Sequence, residues 1–123
     1  MQENRHLAIR VMLLPRDTNA HGTIFGGAIL SQIDLAAAVE GRRHSRKRLV
    51  TVAMKEVVFC EPVYVGDIVS FYTRLERIGN TSITVHVDVQ AQRAADPDAT
   101  ITVTEAQVTY VAVDEHGKKT AVH

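Results

Sequence analysis

The sequence holds a single cysteine, Cys60, among 123 residues. One thiol excludes an intrachain disulfide and any cysteine-based metal centre, and it suits a reducing compartment. Net charge is missing as well: 14 Lys plus Arg against 14 Asp plus Glu leave a formal charge of zero at pH 7. That balance lacks the basic excess of a nucleic-acid protein, and a near-neutral surface makes self-association easy, so an oligomer is expected. No apolar run approaches the length of a membrane span, and the opening Met-Gln-Glu-Asn-Arg-His has no apolar signal core. The expected location is therefore the cytoplasm. No repeat, low-complexity tract or Pro/Gly-rich linker interrupts the chain, and residues 1–123 are expected to form one domain. What is present is an ordinary globular balance, 46% hydrophobic and 23% charged.

Residues 7–14 form a short apolar run stopped by Pro15, a first strand, and residues 16–25 are polar and turn-rich. Gly26 and Gly27 open a segment from Ala28 to about Glu40 that has no proline and few β-branched residues, a composition that favours helix. The rest reads as strands. Residues 49–59 are one, and Val69, Phe71, Thr73 and Leu75 alternate with polar residues in the next. After a Gly79-Asn80 turn, Ile83, Val85, Val87 and Val89 alternate with Thr84, His86, Asp88 and Gln90, the period of a strand with one buried face. Residues 101–113 form the last strand, and there the apolar phase slips, which predicts a bulge near Glu105. The order β-α-β-β-β-β predicts an α+β fold, an antiparallel sheet curled around one long helix.

That helix is apolar nearly all round, through Ile29, Leu30, Ile33, Leu35, Ala36, Ala37, Ala38 and Val39, and is expected to be buried on most sides. Asp34 sits in its middle, and its helical neighbours Leu30, Ser31, Ala37 and Ala38 include no cation. An ionised carboxylate out of water needs a partner. Asp34 either faces solvent, or pairs with an arginine from elsewhere, or does chemistry. Gly27 lies seven residues earlier, about 20° away on the helical wheel and roughly 10 Å along the axis. A helix N-terminus supplies unpaired N–H groups and positive dipole, and glycine there lets a carbonyl approach the backbone closely. One helix face thus carries an oxyanion seat and a carboxylate, the parts of an acyl-transfer site.

Asp17-Thr18-Asn19-Ala20-His21-Gly22-Thr23-Ile24-Phe25-Gly26-Gly27, continued by Ser31-Gln32-Ile33-Asp34, resembles the YciA-type bacterial acyl-CoA thioesterases, relatives of the brain-type acyl-CoA hydrolases. Phe59-x-x-Pro62-Val63-x-Val65-Gly66-Asp67, Gly79-Asn80-Thr81-Ser82-Ile83 and Tyr110-Val111-Ala112-Val113-Asp114 extend the resemblance over almost the whole chain. It implies a hotdog fold, homodimers paired edge to edge with active sites at the interface, and further assembly as a trimer of dimers, a hexamer. It also implies an acyl-CoA substrate and a place in fatty acid metabolism. Asp34 becomes the catalytic carboxylate, with Asn19 arriving from the partner chain. Gly79, Asn80, Thr81 and Ser82 join the coenzyme A contact surface, beside Gly26 at the helix start. His21 departs from the pattern, where the family often has a second asparagine; a solvated loop histidine is the expected reading.

The implied chemistry needs no resident cofactor, because coenzyme A enters as part of the substrate and leaves as product. The thioester carbonyl points at the Gly27 N–H while Asp34 acts as base or nucleophile. The thiolate leaves readily, consistent with the absence of a Gly-x-Ser-x-Gly elbow. Five cations in residues 42–48, Arg43 among them, either meet coenzyme A phosphates or simply complement the negative end of the helix. The six histidines have no zinc-site spacing, so no metal is expected. Cys60 is expected to pack, and Asp67 to shape a turn. Three rival readings are a hotdog enoyl-CoA hydratase or dehydratase, a non-catalytic acyl-CoA-binding domain, and a purely structural domain, which would leave Asp34 unexplained. Enoyl hydration without thiol release distinguishes the first, and loss of the helix carboxylate marks the second.

Overall fold

A computed structural model describes residues 4–123. Met1–Glu3, part of the N-terminal stretch read for a signal core, lie outside the described residues. Strand β1 spans His6–Met12, helix α1 Gly26–Gly41, β2 Arg48–Phe59, β3 Ile68–Ile78, β4 Ser82–Gln92 and β5 Thr100–Val113. A short 3-10 turn at Pro15–Asp17 follows β1, where Pro15 ends the strand and supplies the φ that a tight turn needs. The five strands form one antiparallel sheet in the order β1-β3-β4-β5-β2, with α1 packed on it. Among the described residues no helix is long and apolar enough to cross a membrane.

The alternation expected of β4 is realised, since Ile83, Val85, Val87, Val89 and Ala91 are all fully buried. Against them α1 places Ile29, Ile33, Ala36 and Ala37. The two alanines leave room for the helix to lie close to Phe71 and the valines of the central strands. Burying each of the larger apolar side chains contributes on the order of 2 kcal/mol. The slip in β5 is a bulge at Val103, two residues before its expected place. Val89 faces Thr104 while Gln90 faces Thr102, so Val103 is the extra residue and Glu105 pairs regularly with Asp88.

Two expectations need correction. The helix is buried or half-buried except along one stripe, where two residues read as part of its buried apolar surface, Leu35 and Val39, are 56% and 47% exposed. They stand four residues apart, and nothing among the described residues covers them. Cys60 does not pack in the core but is exposed, because it follows β2, an edge strand whose end faces outward. On that edge Val50, Val52, Val58 and Phe59 are exposed too. The strand is irregular, with register shifts at Val52 and again between Lys55 and Val58, where Glu56 adopts a φ of 53°.

Candidate active site

Strand β2 runs antiparallel to α1 along its flank. At the helix start Gly26 faces the Phe59 ring, at mid-helix Asp34 meets Thr51, and at the helix end Gly41 faces Leu49. The crevice between them therefore passes Gly26, Asp34 and Gly41 in turn.

In the middle lies Asp34, half-buried. It neither stands free in solvent nor pairs with an arginine. The Thr51 hydroxyl donates to Asp34 Oδ1 at 2.8 Å, and the Tyr110 hydroxyl donates to the same oxygen at 2.9 Å and to the Asp34 carbonyl at 2.6 Å. Oδ2 accepts no side-chain hydrogen bond among the described residues and remains available. Two neutral donors hold the carboxylate in one orientation without neutralising it, the condition a base or nucleophile requires. Burial, followed by the hydrogen bond and the charge of Asp34, pushes the Tyr110 phenol far above its ordinary value, so it stays a donor. Sequence patterning passed over both hydroxyls, although Tyr110 stands within one of the family-like motifs.

The helix start has Phe25 at its N-cap with no side-chain cap and no acidic residue in the first turn. Its leading N–H groups thus have no carboxylate or hydroxyl competing for them, as an oxyanion seat demands. A Cβ at Gly27 would lie 2.4 Å from the exposed Phe25 ring, so any side chain there would have to displace that ring. Gly26 is less constrained, since a Cβ would make only ordinary contact with Phe59. Beside Gly26 opens a pocket of about 280 Å³ lined by Ile24, Ile29, Phe59, Cys60 and Val63, among others. It is predominantly apolar and suits an alkyl chain.

Asn19 shapes its own loop. Its Oδ1 accepts from the backbone N–H of His21 and Thr23, and its Nδ2 donates to the Thr23 hydroxyl at 2.8 Å. None of these bonds reaches Asp34 of the same chain. His21 is exposed, as expected of a solvated loop residue. Gly79, Asn80, Thr81 and Ser82 form the β3–β4 turn, closed by Gly79 N–H to the Ser82 carbonyl. The Thr81 carbonyl accepts from Ala112 N–H of β5 and the Asn80 carbonyl from Val122 N–H, so the turn ties the C-terminal segment to the sheet. Arg43 points away from the crevice, with its guanidinium 3.2 Å from His6 Nε2. Asp67 serves its turn as expected, accepting from Tyr64 N–H and pairing with Arg93.

A second carboxylate escaped sequence analysis. Glu40, 1% exposed, receives His44 Nε2 at 2.7 Å, His6 Nδ1 at 3.0 Å and the Thr73 hydroxyl at 2.9 Å. Burial pushes its pKa up, but the hydrogen bonds from His44, Thr73 and His6 and the charge of His6 outweigh that and hold it below its ordinary value. The spacing of Glu40 and His44, one helical turn, was the signal that could have found it.

The family model described as the thioesterase superfamily matches residues 21–97, more than half of the chain. The acyl-CoA thioester hydrolase YciA of Escherichia coli (strain K12) is 38% identical over 118 residues, covering 94% of this chain and 89% of its own. A hexameric hotdog fold thioesterase of Campylobacter jejuni is similar in structure with a TM-score of 0.89 and 49% identity, over 95% of this chain and 90% of that one. The hexameric thioesterase of Yersinia pestis gives a TM-score of 0.90 at 38% identity, over 98% and 97%. The wrapped sheet, the central helix and these likenesses agree: the protein has the hotdog fold and belongs to the thioesterase superfamily.

Proposed function

We propose that the protein is an acyl-CoA thioesterase, hydrolysing the thioester of acyl-CoA to free coenzyme A and a carboxylic acid. The observation that carries this reading is Asp34, a carboxylate held by Thr51 and Tyr110 with one oxygen free and no cation beside it. Its relatives' names support the substrate class. Asp34 takes a proton from a water that attacks the carbonyl, or attacks it directly to form an anhydride that water then opens. Either way the C–S bond breaks and the departing thiolate collects a proton, while the oxyanion rests on the N–H groups at the start of α1. The acyl chain lies in the apolar pocket beside Gly26 and Phe59. Gly79–Ser82 contributes to the coenzyme A contact surface.

One chain does not complete the site. Helical rise separates Gly27 from Asp34 by roughly 10 Å, too far for a single carbonyl to touch both. Two copies joined along their β2 edges, with their helices antiparallel, bring Asp34 of one to the partner's Gly27 and the partner's Asn19. The edge position of β2 and the uncovered Leu35 and Val39 support that pairing. Three such dimers make the hexamer, the assembly of the relatives from Campylobacter jejuni and Yersinia pestis. We place the enzyme in the cytoplasm, on the single thiol.

A free-thiol release assay over a panel of acyl-CoA esters tests the reading. Wild-type protein releases thiol, and Asp34→Ala loses at least about 100-fold in kcat. A folded Asp34→Ala that keeps wild-type turnover, or enoyl-CoA hydration without thiol release, sinks it.

A further inference from the structure

The bulge in β5 stands at the wall of the apolar pocket. Val103 is fully buried and its neighbour Thr104 is 1% exposed, so two successive side chains turn from solvent where a regular half-buried strand would hide one. Beyond the bulge Thr104, Ala106, Val108 and Tyr110 share the buried phase, and the last of them reaches Asp34. The Val103 carbonyl accepts from Cys60 N–H at 2.8 Å and from Glu61 N–H at 3.4 Å, which fixes the chain leaving β2. Cys60, Glu61 and Thr104 all line the pocket beside Gly26. Bulges next to active sites re-aim side chains, and here the re-aimed side chain is a threonine.

Its hydroxyl has no partner. Seven polar or charged side chains are buried among the described residues. Glu40, Ser45, Asp67, Ser70, Thr73 and Thr84 each make a side-chain hydrogen bond. Thr104 is the seventh and, among the described residues, its side chain makes none. Asp88 Oδ1 is the one side-chain polar atom there that is both unpartnered and sealed from solvent. The Thr104 hydroxyl is therefore unpartnered without being sealed, and the surface it keeps opens to the pocket that Thr104 lines. A valine would pack as well at that position, so packing alone gives no reason for the hydroxyl.

We propose that Thr104 determines the acyl specificity of this pocket, favouring acyl groups that carry a hydroxyl or keto oxygen over plain alkyl chains of the same length. The proposal rests on the thioesterase reading and names the class of acyl group it acts on. An alkyl chain that fills the pocket strips water from Thr104 and leaves its hydroxyl unpaired, which costs binding. An oxygen on the chain takes the place of that water, and a threonine hydroxyl can donate to it or accept from it. Discrimination of this kind comes from the polar group left unpaired by the wrong substrate.

The test measures thiol release from butanoyl- and hexanoyl-CoA and from their 3-hydroxy, 3-oxo and terminal-hydroxy counterparts. Both esters of a pair sample the same folded fraction of any variant, so the ratio of their kcat/KM values, oxygenated over plain, is insensitive to misfolding. Thr104→Val keeps the shape and loses the hydroxyl, and for at least one oxygenated ester it lowers that ratio about tenfold. Thr104→Ser restores the hydroxyl and holds the ratio within about twofold of the wild type. Thr104→Val also melts no lower than the wild type, since it breaks no bond of the free protein. A ratio unchanged across the panel, or lowered equally by valine and serine, overturns the proposal. So does a clearly lower melting temperature in Thr104→Val, which would show the hydroxyl bonded within the fold. If the wild type hydrolyses no ester, the thioesterase reading fails. Calorimetric binding of the same ester pairs then decides the pocket separately: a preference for an oxygenated ester that Thr104→Val abolishes upholds the proposal, and no preference overturns it.

Discussion

Helix α1 carries two carboxylates six residues apart, and they have opposite surroundings. Glu40 is sealed in, with both oxygens occupied by two imidazoles and a threonine hydroxyl drawn from three different elements. Asp34 is half-buried, one oxygen held by two hydroxyls and the other open to the crevice. A fully satisfied buried charge fixes structure, because nothing can reach it and removing it leaves its partners stranded. A partly satisfied one with an open oxygen has spare capacity for a substrate or a water. The contrast lies in the unused oxygen, not in the residue type or the helix.

The sharpest way to break this contrast is to neutralise each carboxylate in turn without changing its shape. Asp34→Asn should lose at least about 100-fold in thiol release while melting near the wild-type temperature. Glu40→Gln should do the reverse, costing about 2 kcal/mol of stability in urea unfolding and retaining turnover per folded molecule. Comparable losses of activity in both variants would dissolve the distinction.

Acid sharpens it further. Because Glu40 has a folded pKa below its ordinary value of 4.5, the folded chain keeps the charge at pH values where the unfolded chain has begun to protonate. Its contribution to stability is therefore complete above that ordinary value and fades as pH falls through the lower, folded one. Unfolding midpoints followed from pH 6 downward should show this loss in the wild type and in Asp34→Asn, and a flatter acid limb in Glu40→Gln. An unaltered acid limb in Glu40→Gln would show that Glu40 has no part in acid stability.

How far these two sites were legible in the sequence depended on the distance over which each is assembled. The strand phase of β4 is local, and Ile83 through Val89 fell inward as read. Asp34 announced itself because a charge in an apolar helix is a local contradiction. Its partners did not, since Thr51 and Tyr110 lie 17 and 76 residues away. Glu40 was hidden for the same reason, with His6 and Thr73 lying 34 and 33 residues off; only His44, one turn away, was within reach of a helical rule. The helix composition misled in one respect. An apolar stripe for the sheet and an apolar stripe for a second subunit look alike in sequence, so Leu35 and Val39 passed as core. The β5 bulge was visible as a phase slip, but pairing with β4 was needed to place it at Val103.

The smaller effects concern what holds Asp34. Tyr110→Phe removes a donor to both the carboxylate and the helix carbonyl, at a site where burial keeps the phenol protonated. A hydrogen bond to a charged group contributes about 1.5–3 kcal/mol, so kcat should fall by about tenfold to 100-fold. Thr51→Val should do less, about threefold or below, because its hydroxyl holds only Asp34 Oδ1, whereas that of Tyr110 also holds the Asp34 carbonyl. That order is the informative part. If Thr51→Val were the more damaging change, the second bond of Tyr110, to the Asp34 carbonyl, would have no part in holding the carboxylate.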